Sequence, residues 1–115
     1  MTPYETAATW HLDHCPETPF REILEAHLFC GHVISGPTRF ILGRQVCRDW
    51  PESRLLNPWD TDPNGDAWFV WLWAGEIGDW RRVLPWPLPW LMWHRGDRLR
   101  CFPLKEMARA RVGRA

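Results

Sequence analysis

Two groupings near the start of this chain bring together residue types that do chemistry. "HLDHC" holds His11, His14 and Cys15, and "HLFCGH" holds His27, Cys30 and His32. Neutral imidazole with thiolate is a sound ligand set for zinc, and His27 and Cys30, three residues apart, share a face if the segment is helical. The spacing matches no standard zinc finger, and both positions suit core residues equally well. A small structural zinc site is therefore one alternative, and no metal ligand is assigned. His14 beside Cys15 suggests an activated thiol, but adjacent residues rarely set imidazole against the neighbouring sulfur, and no third group orients the pair. Ser35 and Ser53 stand outside any G-x-S-x-G turn, and there is no glycine-rich phosphate loop. Glu76 with Asp79 reads as a solvated turn followed by a helix cap rather than an acid/base pair. No catalytic residue is assigned, no cofactor is expected, and the chain reads as non-enzymatic.

A third grouping is "DTDPNGDAWFVW". Asp60, Asp62, Asn64 and Gly65 are spaced as in the first half of a calcium loop, where alternate side-chain oxygens converge and glycine permits the sharp bend. The stretch resembles half of an EF-hand loop. Its twelfth position, where a bidentate Glu should close the shell, is Trp71, and no flanking helices are evident. Asp, Asn, Pro and Gly are also ordinary loop formers, which is the preferred reading.

The strongest departure from ordinary composition is indole. Ten of the 115 residues are Trp, and seven of them lie between residues 68 and 93 together with Pro85, Pro87 and Pro89. Each Trp can bury about 150–250 Å², so much of this is core material. A small sheet has limited interior, however, and Trp is seldom wholly buried. Trp80, Trp86 and Trp90 flank a short capped turn and a stiff Pro segment beside Arg81 and Arg82. Trp and Arg are enriched at binding hot spots, and a stiff segment loses little entropy on docking. These five residues are the expected partner-binding site, for a protein partner or for self-association. The competing use of "PWPLPW" is to wrap an edge of the sheet with its indoles folded inward.

Net charge is zero and Arg supplies thirteen of the fourteen basic residues. The charge is unevenly spread: residues 48 to 80 carry a net −5 and residues 95 to 115 a net +5. Arg95, Arg98, Arg100, Lys105, Arg109, Arg111 and Arg114 form the basic run. With Trp86, Trp90 or Trp93 stacking on bases, it makes single-stranded nucleic-acid binding the second functional reading. Charged residues interrupt the Trp-rich stretch and prolines break it, so no transmembrane segment is expected. Cys15, Cys30, Cys47 and Cys101 form no C-x-x-C pair, and the first residues lack a signal-peptide pattern. Reduced thiols and a cytoplasmic location are expected.

The elements that must position these residues follow from periodicity and turn signals. Thr2-Pro3 and Thr18-Pro19 open helices, and the clearer helix, over residues 19 to 30, has its stripe at Phe20, Ile23, Leu24, His27 and Leu28, with Gly31 as C-cap. "HVIS" and "RFILGRQV" read as a hairpin, residues 51 to 66 as a long loop, and "AWFVWLWA" as a strand covered on both faces. Asp79 caps a short turn, "PWPLP" runs extended, and "LMWHR" and "RLRCF" pair across Gly96-Asp97. A closing helix is expected from Pro103 to about Arg111. The expected fold is a single α+β domain. It has a mainly antiparallel sheet of four or five strands, one principal helix on a face and short terminal helices.

Overall fold

The computed structural model describes residues 1 to 104. Thr2 caps α1 (Pro3–His14): its Oγ1 accepts the Glu5 amide at 3.2 Å, and Pro3 occupies the first turn, where no amide hydrogen is needed. α2 (Phe20–Cys30) starts on Pro19 without a side-chain cap. The expected start signal at Thr18 is used differently, since its carbonyl accepts from His11 Nε2 at 2.6 Å and ties the end of α1 to the start of α2. The two helices are nearly equal in length, so the expected single principal helix is a pair. The buried face of α2 runs through Ile23, Ala26 and His27, which turns Leu28 into solvent at 65% exposure. Gly31 ends the helix by donating its amide to the His27 carbonyl. A Cβ there would lie 2.7 Å from the Gly43 carbonyl oxygen, so close approach of helix to sheet requires the glycine.

Five strands follow in spatial order: β1 (His32–Ser35), β2 (Arg39–Val46), β3 (Ala67–Gly75), β4 (Trp90–Arg95) and β5 (Arg98–Pro103). Short helices α3 (Glu52–Leu55) and α4 (Trp80–Val83) lie in the connections. The fold is α+β with a mostly antiparallel sheet, and the exception is the parallel pair β3/β4. Residues 76 to 89 produce it. Asp79 caps α4 by accepting the Arg81 amide, and Pro85 follows directly after the helix. The extended Pro run then returns the chain to the start of β3, where Trp90 pairs with Ala67. Pro103, expected to begin a helix, is the last residue of β5, an edge strand on which a missing amide hydrogen is tolerated. From residue 105 onward the expected closing helix lies outside the described residues.

Both sheet faces are covered. On one face α1 and α2 pack Ala7 and Ile23 onto Phe40, Leu42, Leu72 and Ala74. On the other, the crossover sets Leu84, flanked by Trp80, Val83 and Leu88, over Ile41, Trp68, Val70 and Leu91. β3 serves both because of a bulge. Leu42 pairs with Leu72 and Gly43 with Val70, leaving Trp71 as an extra residue that reverses the alternation. The large apolar residues on both parities thus reflect a shifted register as well as two covered faces.

A third cluster, Val46, Leu55, Ala67, Phe69 and Met92, extends the helical face beneath the loop of residues 47 to 66. Arg44 holds that loop. Its guanidinium is fully buried, with Nε donating to the Asp60 carbonyl at 2.6 Å and Nη2 to the carbonyls of Arg54, at 3.3 Å, and Leu55. Its carbon lies 5.1 Å from the Phe69 ring centre. Burial pulls its pKa down to about 10, with Cys30 and Asp60 opposing, so it stays charged at neutral pH. Replacing Arg44 with Met should cost about 3–5 kcal/mol, because three main-chain carbonyls, that of Leu55 buried and those of Arg54 and Asp60 partly so, lose their donor. Urea unfolding checks this, and an unchanged midpoint would mean that apolar contacts alone hold the loop.

His27 supplies a pH-dependent contribution. Burial lowers its pKa from 6.5 to about 4, opposed by its hydrogen bond to the Ile23 carbonyl and assisted by Arg44. The folded state therefore holds the ring neutral while the unfolded chain takes up a proton. The stability this contributes is full above about pH 6.5 and is lost as pH falls through about 4, up to about 3 kcal/mol. Urea midpoints of the wild type between pH 7 and 4 should show this decline, and the His27→Leu variant should show a shallower one.

Candidate binding surface

Trp80, at the start of α4, packs edge-on against Trp73 of β3 with ring centres 5.8 Å apart. Trp73 in turn meets Trp93 of β4 at 6.1 Å, and Trp93 stacks on Phe102 of β5 at 5.3 Å and 15°. The four rings form a row across three strands on the crossover face. Trp73 is 40% exposed and Phe102 42%. The pairing register places Arg100 opposite Trp93 and Arg98 opposite Arg95, so these three arginines flank the row on the same face, all exposed. Among the described residues, no ion pair involves any of the three. At the other end Arg81 and Arg82 are exposed on α4, with Arg81 Nη2 3.3 Å from Asp79.

Beside the row the sheet splits. β4 pairs with β3 only from Ala67↔Trp90 to Val70↔Trp93, whereas β2 pairs with β3 to its end at Gly75. A cleft of about 570 Å³ opens where the two strands part, a size typical of ligand pockets. Trp73, Trp93 and Arg95 line it from the crossover face, and Ala7, Trp10 and His14 of α1 from the helical face. Trp10 is stacked on His14 at 4.2 Å and is 41% exposed.

Of the five expected binding residues, Trp80 joins this row and Arg81 and Arg82 lie on the same short helix; Arg81 also shares a pocket of about 420 Å³ with Trp86, and Trp90 is on the opposite face. Trp86 lies five β3 positions away from Trp73, over Trp68, whose Nε1 donates to the Trp86 carbonyl at 3.1 Å. His32 packs edge-on against both indoles there. Trp90 belongs to the cluster on the opposite face, with the Arg48 guanidinium 3.8 Å above its ring. Trp73, Trp93 and Phe102 were not among the expected set. The alternation of Arg98, Arg100 and Phe102 is visible in the sequence and marks one face of a strand; the bulge that turns Trp73 toward it is not.

The candidate metal ligands hold other partners. His27 Nδ1 meets the Ile23 carbonyl at 2.8 Å, Cys30 Sγ donates to the carbonyls of Ala26 and Pro58, and His32 sits between indoles. Asp62 accepts from Cys47 Sγ at 2.9 Å and from the Asn64 amide at 2.9 Å, while the Asp60 carbonyl serves Arg44. Gly65 is buried where a Cβ would lie 2.3 Å from the Val46 carbonyl oxygen, so this glycine fits the loop to the sheet. Among the described residues no three His, Cys, Asp or Glu side chains are placed to share a metal ion. All four thiols are pushed up in pKa. Burial acts first at Cys15, Cys30 and Cys101, and the hydrogen bond to Asp62 takes Cys47 to about 11, so none is a thiolate at neutral pH. No helix among the described residues is long and apolar enough to cross a membrane.

Comparison of the chain with protein-family models, curated proteins and solved structures finds no match in any of the three.

Exposed side chains without an ion pair contribute little to folding. Arg98→Ala combined with Arg100→Ala should leave the thermal midpoint and the urea midpoint essentially unchanged, within about 0.5 kcal/mol. A larger loss would assign these arginines to the fold.

Proposed function

We propose that the protein is a small interaction module of adaptor or inhibitor type, which docks a protein partner on the surface running from Trp80 to Phe102. The observation that carries this reading is the row of four aromatic rings, partly exposed, beside three exposed arginines on one sheet face. Indole and guanidinium supply large contact area and charge-assisted hydrogen bonds, the usual substance of binding hot spots. A partner segment that matches it is acidic and carries apolar side chains. Cys30 and Cys47 are used as thiol donors, which fits a reducing compartment, and a cytoplasmic location is part of the proposal.

Single-stranded nucleic acid is the second reading, favoured by Trp93 stacked on Phe102 next to Arg100. One experiment separates the two. Selection from a random twelve-residue displayed peptide library should enrich acidic sequences with apolar residues. Trp73→Ala, and the Arg98→Ala/Arg100→Ala pair, should each weaken the selected peptides by about tenfold or more. Failure to enrich any sequence would reject the protein-docking reading. Binding of oligo(dT) instead, falling steeply with added salt, would establish the nucleic-acid one. Light scattering on the same variants reports self-association, and a dimer that dissociates in Trp73→Ala would make a second copy the partner.

A further inference from the structure

We infer that the partner segment joins the sheet itself, adding a strand along the open edge of β3 in the cleft between β3 and β4. The inference rests on the protein-docking reading above and specifies its mode. Residues 72 to 75 of β3 are paired on one side with β2, through Leu72↔Leu42, Trp73↔Ile41, Ala74↔Phe40 and Gly75↔Arg39. On the other side β4 stops pairing at Val70↔Trp93. Residues 71 to 75 therefore present about 14 Å of strand edge to the cleft, with amide and carbonyl groups at alternate residues unpaired by β4. Edges of this kind are templates for an extended segment, with main-chain hydrogen bonds giving affinity and alternate side chains giving specificity.

The lining defines the occupant. His14, His94 and Arg95 are its ionisable residues, and no carboxylate is among them. A strand inserted there turns alternate side chains to the two sheet faces. Those on the helical face meet Ala7, Trp10, Leu72 and Ala74, a mostly apolar surface with Thr6 and His14 at its side; those on the crossover face meet Arg95 beside Trp73 and Trp93. The occupant is thus an extended protein segment that alternates acidic with apolar residues, its acids toward Arg95. A smooth helix cannot satisfy the edge, because its own main-chain groups are already paired.

The test uses an acetylated, amidated octapeptide alternating Asp with Phe and Val, titrated into the full chain by calorimetry. Binding in the micromolar range is expected. N-methylation of single amides along the central four residues should weaken binding with a period of two, by about tenfold or more at alternate positions and little at those between. Hydrogen exchange should slow within residues 71 to 75 on binding. Effects without that period, or no added protection in β3, would overturn strand addition while leaving the docking surface in place. Absence of octapeptide binding while library-selected peptides still bind in a Trp73-dependent manner would overturn the inference alone. Absence of both, or binding of oligo(dT) in their place, would overturn the docking reading with it.

Discussion

The buried guanidinium of Arg44 is the constraint on which the arrangement of this chain depends. A charge taken from water needs donors and acceptors in good geometry, and here three main-chain carbonyls from residues 54 to 60 supply the acceptors in place of a carboxylate. The consequence is reciprocal. The loop of residues 47 to 66, with little regular structure of its own, acquires a fixed path over the sheet, and Leu55 is thereby brought onto Val46, Phe69 and Met92. Without that contact the third cluster would have no lid, and the end of β3 that pairs with β4 would be exposed on the helical face. Lys could not substitute, because a single ammonium does not reach carbonyls spread over a planar fork.

From that clasp the second constraint follows. Arg44 faces the loop because β2 keeps a regular alternation, Phe40, Leu42, Arg44 and Val46 on one face, while the irregularity is taken up in β3 at Trp71. Placing the extra residue there lets β3 offer Ala67 and Phe69, then Leu72 and Ala74, to the helical face. Trp68, Val70 and Trp73 go to the other. A bulge bends its strand and increases local twist. The pairing with β4 ends at Val70, the residue before it, so the same insertion that solves the packing problem marks the point where the sheet opens. The cleft and the core are two results of one local irregularity.

What could be read from the sequence divides along this line. Local signals were legible: the Thr2 cap, the Asp79 cap, the Gly96-Asp97 hairpin and the extended prolines all sit where short-range chemistry puts them. Long-range choices were not. Nothing local distinguishes a return of the Pro run to the start of β3, giving a parallel pair, from a hairpin partner, and the orientation of Leu28 depends on where the α2 face meets the sheet. The site suffers most from this. Trp80, Trp86 and Trp90 lie close in sequence, yet crossover and strand send them to different ends and faces. Trp80 instead joins Trp73, Trp93 and Phe102, contributed by three separate strands. Proximity in sequence is a poor guide to proximity on a sheet whose neighbours are set by a crossover.

The abundance of indole has a physical account in the same geometry. Among the described residues, two longer helices cover one face of the five-stranded sheet, and the other is covered by Leu104 and by fourteen connecting residues, 76 to 89, in which one short turn of helix is the only regular element. Small side chains on such a segment could not span the distance between backbone and sheet. Large flat rings do so with few rotatable bonds, and Trp68, Trp80 and Trp93 on this face are used in that way, buried or half-buried around Leu84 and Leu91. Rings that begin as cover continue toward solvent at its margin. Trp73 and Phe102 stand at that margin, exposed to solvent on one side and leaning on Trp80 and Trp93 on the other. An aromatic surface beside exposed arginines is therefore what this economical way of closing a thin fold leaves behind, and it is a surface already held rigid by the packing beneath it. Rigid aromatic rings lose little freedom when a partner docks on them. Rings that lean on the half-buried Trp80 and Trp93 are for that reason the ones the proposed partner would meet.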